Sequence, residues 1–194
     1  MDTVLDILQA AGIGVAVGIR PFLPALLVGA LAAANAGVNF GGTDFSFLEK
    51  APFLGAMLLG VVAFDVLRRR AGDGTLETGA GMLGIGAVCV AIGALEGAGS
   101  SADRGSAAGG LIAGALCAVL AIVAVTPLFV RVRTRLGAEA GLLPFYREAA
   151  ALAVAGLSVL FPPLAVVAVA GMVFLLAGGQ RREGEKYAGL RILK

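Results

Sequence analysis

Apolar residues in this chain fall into six long runs, and the short stretches between them hold nearly all the charge. The runs cover 4–34, 53–67, 79–95, 107–130, 149–160 (with a start near 143) and 164–178. A helix needs about 20 mainly apolar residues to cross a bilayer. The pattern therefore predicts an all-α, polytopic membrane protein with about six transmembrane helices. The first run is too long for one simple pass. Residues 4–34 would make a straight helix of roughly 46 Å at 1.5 Å per residue, against a hydrocarbon core of about 30 Å. Inside it stands Gly18-Ile19-Arg20-Pro21-Phe22-Leu23-Pro24. Proline lacks an N–H and crowds the turn before it. The first helix is thus expected to be kinked or broken at Gly18, Pro21 and Pro24, as one bent span or with a re-entrant part.

The loops set an orientation. Arg68, Arg69 and Arg70 follow the second run, and Arg131, Arg133, Arg135 and Arg147 lie between the fourth and fifth. The stretch 96–106 holds Glu96 and Asp103 against Arg104, and Phe161-Pro162-Pro163 carries no charge. Basic and non-basic loops alternate, and the basic ones belong in the cytoplasm. On this count both termini are cytoplasmic, the first segment crosses an odd number of times, and 35–50 is outside. The chain is expected in a cell inner (cytoplasmic) membrane as one transmembrane domain, 1–180, with a short basic cytoplasmic tail, 181–194. The acidic start, Met1-Asp2-Thr3, lacks the basic opening of a secretory signal.

Composition agrees. The chain is 59% hydrophobic and 14% charged, with a mean hydropathy of +0.95; soluble domains run nearer 25% charged. A net charge of +2, spread over several loops, does not point to nucleic acid. With no histidine, the commonest metal ligand and acid–base group is absent, and no metal site or cofactor is expected. Cys89 and Cys117 lie in apolar runs and read as small buried hydrophobes. No nucleophile context, paired carboxylates or phosphate loop appears, so an enzyme is not expected.

Three spans per half would run in opposite directions, and weak self-similarity supports this. Residues 15–21 resemble 123–127, each with a proline late in an apolar stretch; Ala51-Pro52-Phe53 resembles Leu143-Pro144-Phe145, and Ala80-Gly81-Met82 resembles Ala170-Gly171-Met172. The reading is an inverted repeat with halves 1–97 and 105–180. In such folds sites lie where broken helices of the two halves meet, which points to Arg20 and to Thr126 with Pro127.

Arg20 is the only charged residue between Asp6 and the end of the first run. An arginine inside a span needs a partner or a wet cavity. Asp65 could pair locally with Arg68 or Arg69 or serve Arg20. Glu148 could favour the start of its own helix or serve Arg20. A buried cluster of Arg20 with Asp65, Glu148 or both is the sharper expectation. Gly14-x-x-x-Gly18 and Gly110-x-x-x-Gly114 permit close helix approach.

The string 18–24, continued by Ala25-Leu26-Leu27-Val28-Gly29-Ala30-Leu31, resembles the opening of a bacterial membrane-protein family known as domain of unknown function 4126. The resemblance covers mainly the first 70 residues, Asp65 included, and implies a class rather than an activity. The leading expectation is a small-solute or ion transporter or channel whose site lies near the broken first helix. The alternative is a non-transporting membrane scaffold or lipid-interacting accessory protein. The lipid bilayer is the expected partner, a homo-oligomer is a candidate assembly, and the substrate stays open.

Overall fold

The computed structural model describes residues 2–71, 79–103 and 105–188, and every described element is helical. The helices are α1 (Asp2–Ile19), α2 (Phe22–Ala33), α3 (Ala51–Ala71), α4 (Gly79–Ala102), α5 (Ala107–Leu136), α6 (Leu143–Leu160) and α7 (Leu164–Ala188). Four of them, over Ala51–Arg70, Gly81–Ala102, Ala107–Leu136 and Leu143–Leu160, are long and apolar enough to cross a membrane. Thr3–Ile19, Phe22–Ala33 and Leu164–Gly178 are shorter and equally apolar. Outward-facing residues such as Leu59, Leu83, Leu116, Val167 and Phe174 are exposed. That is the surface of a protein whose solvent is lipid.

The centre is α1, held between α4, α5 and α6. Small residues make this possible. Gly14 faces the backbone of Gly114, Gly18 faces Ala118, and Gly97 faces Gly110. Gly93 lies against both Gly114 and Gly14. Three helices thus meet through backbone rather than side chains, which is how apolar helices gain dispersion energy where lipid removes any hydrophobic drive. Gly14-x-x-x-Gly18 and Gly110-x-x-x-Gly114 were legible in the sequence; Gly93-x-x-x-Gly97 completes the set.

The break in the first segment is real, and sharper than a kink. Helix α1 stops at Ile19 and α2 starts at Phe22. The chain then runs back along itself: the Gln9 side-chain amide donates to the carbonyls of Gly37 (2.8 Å) and Val159 (3.0 Å). The segment 4–34 is therefore a hairpin, not a single odd crossing. Its two open ends lie together, beside Asn39 and Asp103, and Arg20 is at the opposite end. Helix α7 runs alongside α1, with Ala165 near Gly12 and Met172 in one cluster with Ile19. The start of α1 and the start of α7 consequently lie towards one end of the bundle, and both helices run towards Arg20.

Pro24 does not break the chain. It falls in the first turn of α2, where the N–H has no intrahelical acceptor anyway. Pro127 does not break α5, which is continuous over 30 residues; the Arg131 Nε donates to the Pro127 carbonyl at 3.0 Å. The expected counterpart break at Thr126–Pro127 is thus absent. Helix α4 runs on to Ala102, so Glu96 belongs to a helix and not to a loop. The tail starts as a continuation of α7 to Ala188 rather than a separate segment. Arg104 and residues 189–194 lie outside the described residues.

The loop between α2 and α3 plugs the end opposite Arg20. Phe40 and Leu48 are fully buried beneath it, against Gly99 of α4. Asn35 and Gly37 take positive φ (53° and 80°), so the chain turns tightly enough to bring the Gly37 carbonyl to Gln9.

Candidate functional site

Breaking a helix exposes carbonyls at its end and places a positive dipole end on the next one. Here both fall at Arg20. Pro21 caps α2, and its missing N–H and fixed φ end α1 at Ile19. Two adjacent residues of α6 serve two adjacent residues of the break. The Arg147 Nε donates to the orphaned Ile19 carbonyl at 3.0 Å. The Glu148 carboxylate lies 3.0 Å from the Arg20 Nε. Each guanidinium also rests on an aromatic face: Arg20 on Phe64 at 4.9 Å and Arg147 on Phe129 at 5.2 Å. Stacking of this kind holds a guanidinium plane in one orientation while leaving its edge for other partners.

Around this break lies a cavity of about 50 Å³ whose lining includes Arg20, Arg68, Arg133, Arg147, Thr126 and Cys89. A second cavity, of about 250 Å³, adjoins it and shares Arg20, Pro21, Phe64 and Arg68; Asp65 and Glu148 also line it. Four arginines and two carboxylates thus line two adjoining cavities at one end of the bundle. The side chain of Arg20 is only 7% exposed.

The expected cluster forms in part. Glu148 pairs with Arg20. Asp65 instead takes the local reading: Arg68 donates to it at 3.1 Å and Arg69 at 2.8 Å, three and four residues along α3. It lines the same cavity as Arg20, and no ion pair between the two is among those seen. Thr126 joins the site as a buried hydroxyl-bearing residue on an unbroken helix. Gly18 is a packing residue rather than a hinge, because any Cβ there would strike the Ala118 carbonyl.

Sequence reasoning missed three arginines of this site, Arg68 among them as a mere local partner of Asp65, and all of a second polar region. Arg133 and Arg147 read as topology determinants, since nothing local shows that α5 and α6 turn them inward. The second region lies at the opposite end, where Asp6, Gln9, Asn35, Ser100 and Asp103 line a polar cavity of about 210 Å³. One turn of α4 from Ser100 lies Glu96, fully buried, with neither carboxylate oxygen hydrogen-bonded among the described residues. A signal was present: Gly93, Gly97 and the Ser100–Ser101 pair continue the small-residue spacing of α4 past Leu95, so that Glu96 lies inside the helical pattern.

An unsatisfied buried polar group costs about 1–3 kcal/mol. Glu96→Met keeps much of the volume and removes that cost. The expected result is a bundle more stable by about 1–2 kcal/mol, read as a higher unfolding temperature in detergent. A large loss of stability would mean that the carboxyl has a partner beyond those described.

Among the described residues no group of three or more His, Cys, Asp or Glu side chains is placed to hold a metal ion. No protein-family model, curated protein or solved structure matches the chain.

Proposed function

We propose that this integral membrane protein handles anions, as a small transporter or channel whose site is the arginine-lined break at Arg20. The observation that carries this reading is the convergence of Arg20, Arg68, Arg133 and Arg147 on two adjoining cavities at the break. Guanidinium groups bind carboxylate and phosphate through paired N–H donors. Helix breaks beside such groups are a recurrent way to build a membrane site. The positive-inside rule supports a cytoplasmic position for this end, with the polar Asp6–Asp103 end outside. Helices α2–α4 and α5–α7 then alternate in opposite senses. That favours an inverted pair of three-helix units, with α1 threaded between them. The resemblance of residues 18–31 to domain of unknown function 4126 fits the membrane class and brings no activity.

A structural reading has its own support. Glu148 neutralises Arg20, Arg147 caps α1, and the inner cavity has room for little more than a water or two. On that reading the protein is a scaffold or lipid-interacting accessory protein. Flux of chloride, sulfate and phosphate into proteoliposomes separates the two. Transport predicts uptake by the wild type that falls at least tenfold in Arg20→Gln, because the binding charge is lost. No flux for any of the three anions rules out transport of these soluble anions and favours the scaffold.

A further inference from the structure

A third cavity joins the two at the break. It is an apolar cleft of about 220 Å³, and it shares Pro21 and Phe64 with both. Its walls come from α2, α3 and α4: Phe22 on one side, Gly60, Ala63 and Leu67 on the second, and Ile85 and Val88 on the third. No wall residue is charged. The outer rim faces the bilayer, with Leu67 50% and Val88 39% exposed. The cleft exists because α3 packs chiefly on α2 and the short 3₁₀ turn Ser46–Glu49, leaving a gap towards α4.

The apolar cleft thus lies beside the arginine-lined cavity, with Pro21, Phe22 and Phe64 in the walls of both. Leu67 of the cleft is followed in α3 by Arg68, which lines the neighbouring cavity, and by Arg69 and Arg70. Arginines at a helix end lie at the depth of the bilayer's own phosphates. A soluble anion would need the arginines but not the cleft. A neutral lipid would need the cleft but not the arginines. Only an amphiphilic anion uses both.

We infer that the site takes the phosphate of a membrane phospholipid, entering sideways from the bilayer with an acyl chain in the cleft between α3 and α4. This rests on the anion-handling reading and names its substrate class. The phosphate meets Arg68 and Arg20, the latter already oriented on Phe64. Glu148 is the resident counter-ion of Arg20, so the incoming phosphate competes with a carboxylate that is itself a third exposed and can return to water. The phosphate supplies the charge-assisted contacts, and the cleft adds acyl packing that a soluble anion lacks.

The test uses the full chain in detergent, challenged separately with phosphatidylglycerol, with diacylglycerol of the same acyl chains, and with inorganic phosphate. Retained ligand is read by native mass spectrometry and binding by the shift in unfolding temperature. Phosphatidylglycerol is expected to bind at least about tenfold more tightly than diacylglycerol, which lacks the charge-assisted contact, and than inorganic phosphate, which lacks the acyl chain in the cleft. Val88→Trp fills the cleft from its lipid-facing rim. It is expected to weaken phosphatidylglycerol about tenfold while leaving the phosphate response unchanged. Arg68→Gln, which keeps an amide donor near Asp65 but removes the charge, weakens both. Equal binding of phosphate and phosphatidylglycerol, with no effect of Val88→Trp, would assign the site to soluble anions and overturn the lipid inference alone. Equal binding of diacylglycerol and phosphatidylglycerol would reduce the cleft to an unselective lipid-facing surface. No response to either anion would overturn the anion-handling reading as well.

Discussion

Glu148→Gln is expected to destabilise the bundle by about 3 kcal/mol, more than Arg20→Met does. The two ends of this ion pair are unequally buried. The Arg20 side chain is 7% exposed and the Glu148 side chain 32%. Removing the carboxylate leaves a guanidinium inside the bundle without that counter-charge, and breaking a buried pair in this way costs about 3–5 kcal/mol. Removing the arginine instead leaves a carboxylate that reaches water, with an expected cost of about 1–2 kcal/mol. The Phe64 face and the neighbouring Asp65–Arg68 pair soften either loss without replacing the partner. The double variant Arg20→Met with Glu148→Gln is expected to fall short of the sum by about 1–3 kcal/mol. Reversible unfolding in mixed micelles measures all three. Additive effects would show that the two residues contribute independently and that the break is held by Pro21 and Arg147 alone.

The second large effect is expected at the glycine contact of α1, α4 and α5. A Cβ on Gly114 would collide with the Gly93 carbonyl, and one on Gly14 with the Gly114 carbonyl. These obstacles are backbone and cannot rotate away. Gly114→Val must push two helices apart and lose their packing along several turns. Overpacking of a side-chain core costs about 1–3 kcal/mol, and this case should exceed it, to the point that little folded protein is recovered. Gly171→Val is the control, because nothing lies within 4 Å of a Cβ there. It should change stability by less than about 0.5 kcal/mol. A well-folded Gly114→Val protein in size-exclusion chromatography would mean that the three helices are not held at backbone contact.

Part of the site was legible because its causes are local. The span pattern follows from side-chain transfer energies, and a kink or break near Arg20 is favoured by the two proline rings that follow it. Glu148 was named as a partner because it stands at the start of the fifth run, on the same side as Asp65. Asp65 was ambiguous, since two arginines lie at helical spacing on its own helix; those near neighbours took it. Pro127 misled because proline lowers the odds of a helix without forbidding one. In α5 the flanking apolar turns carry the helix through it. Glu96 was assigned to a loop because hydropathy falls at Leu95, whereas the helix there is held by contact through Gly93, Gly97 and Ser101, which hydropathy does not measure.

The sequence by itself determined the class of this protein, the place where its first helix stops, and the charge waiting there. Those are consequences of transfer energy and of one ring closure, both readable within a few residues. Only the tertiary structure decided that the chain turns back at Arg20 rather than crossing once, because that depends on Gln9 reaching a carbonyl 28 positions on and another 150 positions on. The same holds for the arginines of α5 and α6 that converge on the break. Their inward direction is set by glycine faces that bring whole helices to backbone contact, and distances of that kind along the chain leave no local mark.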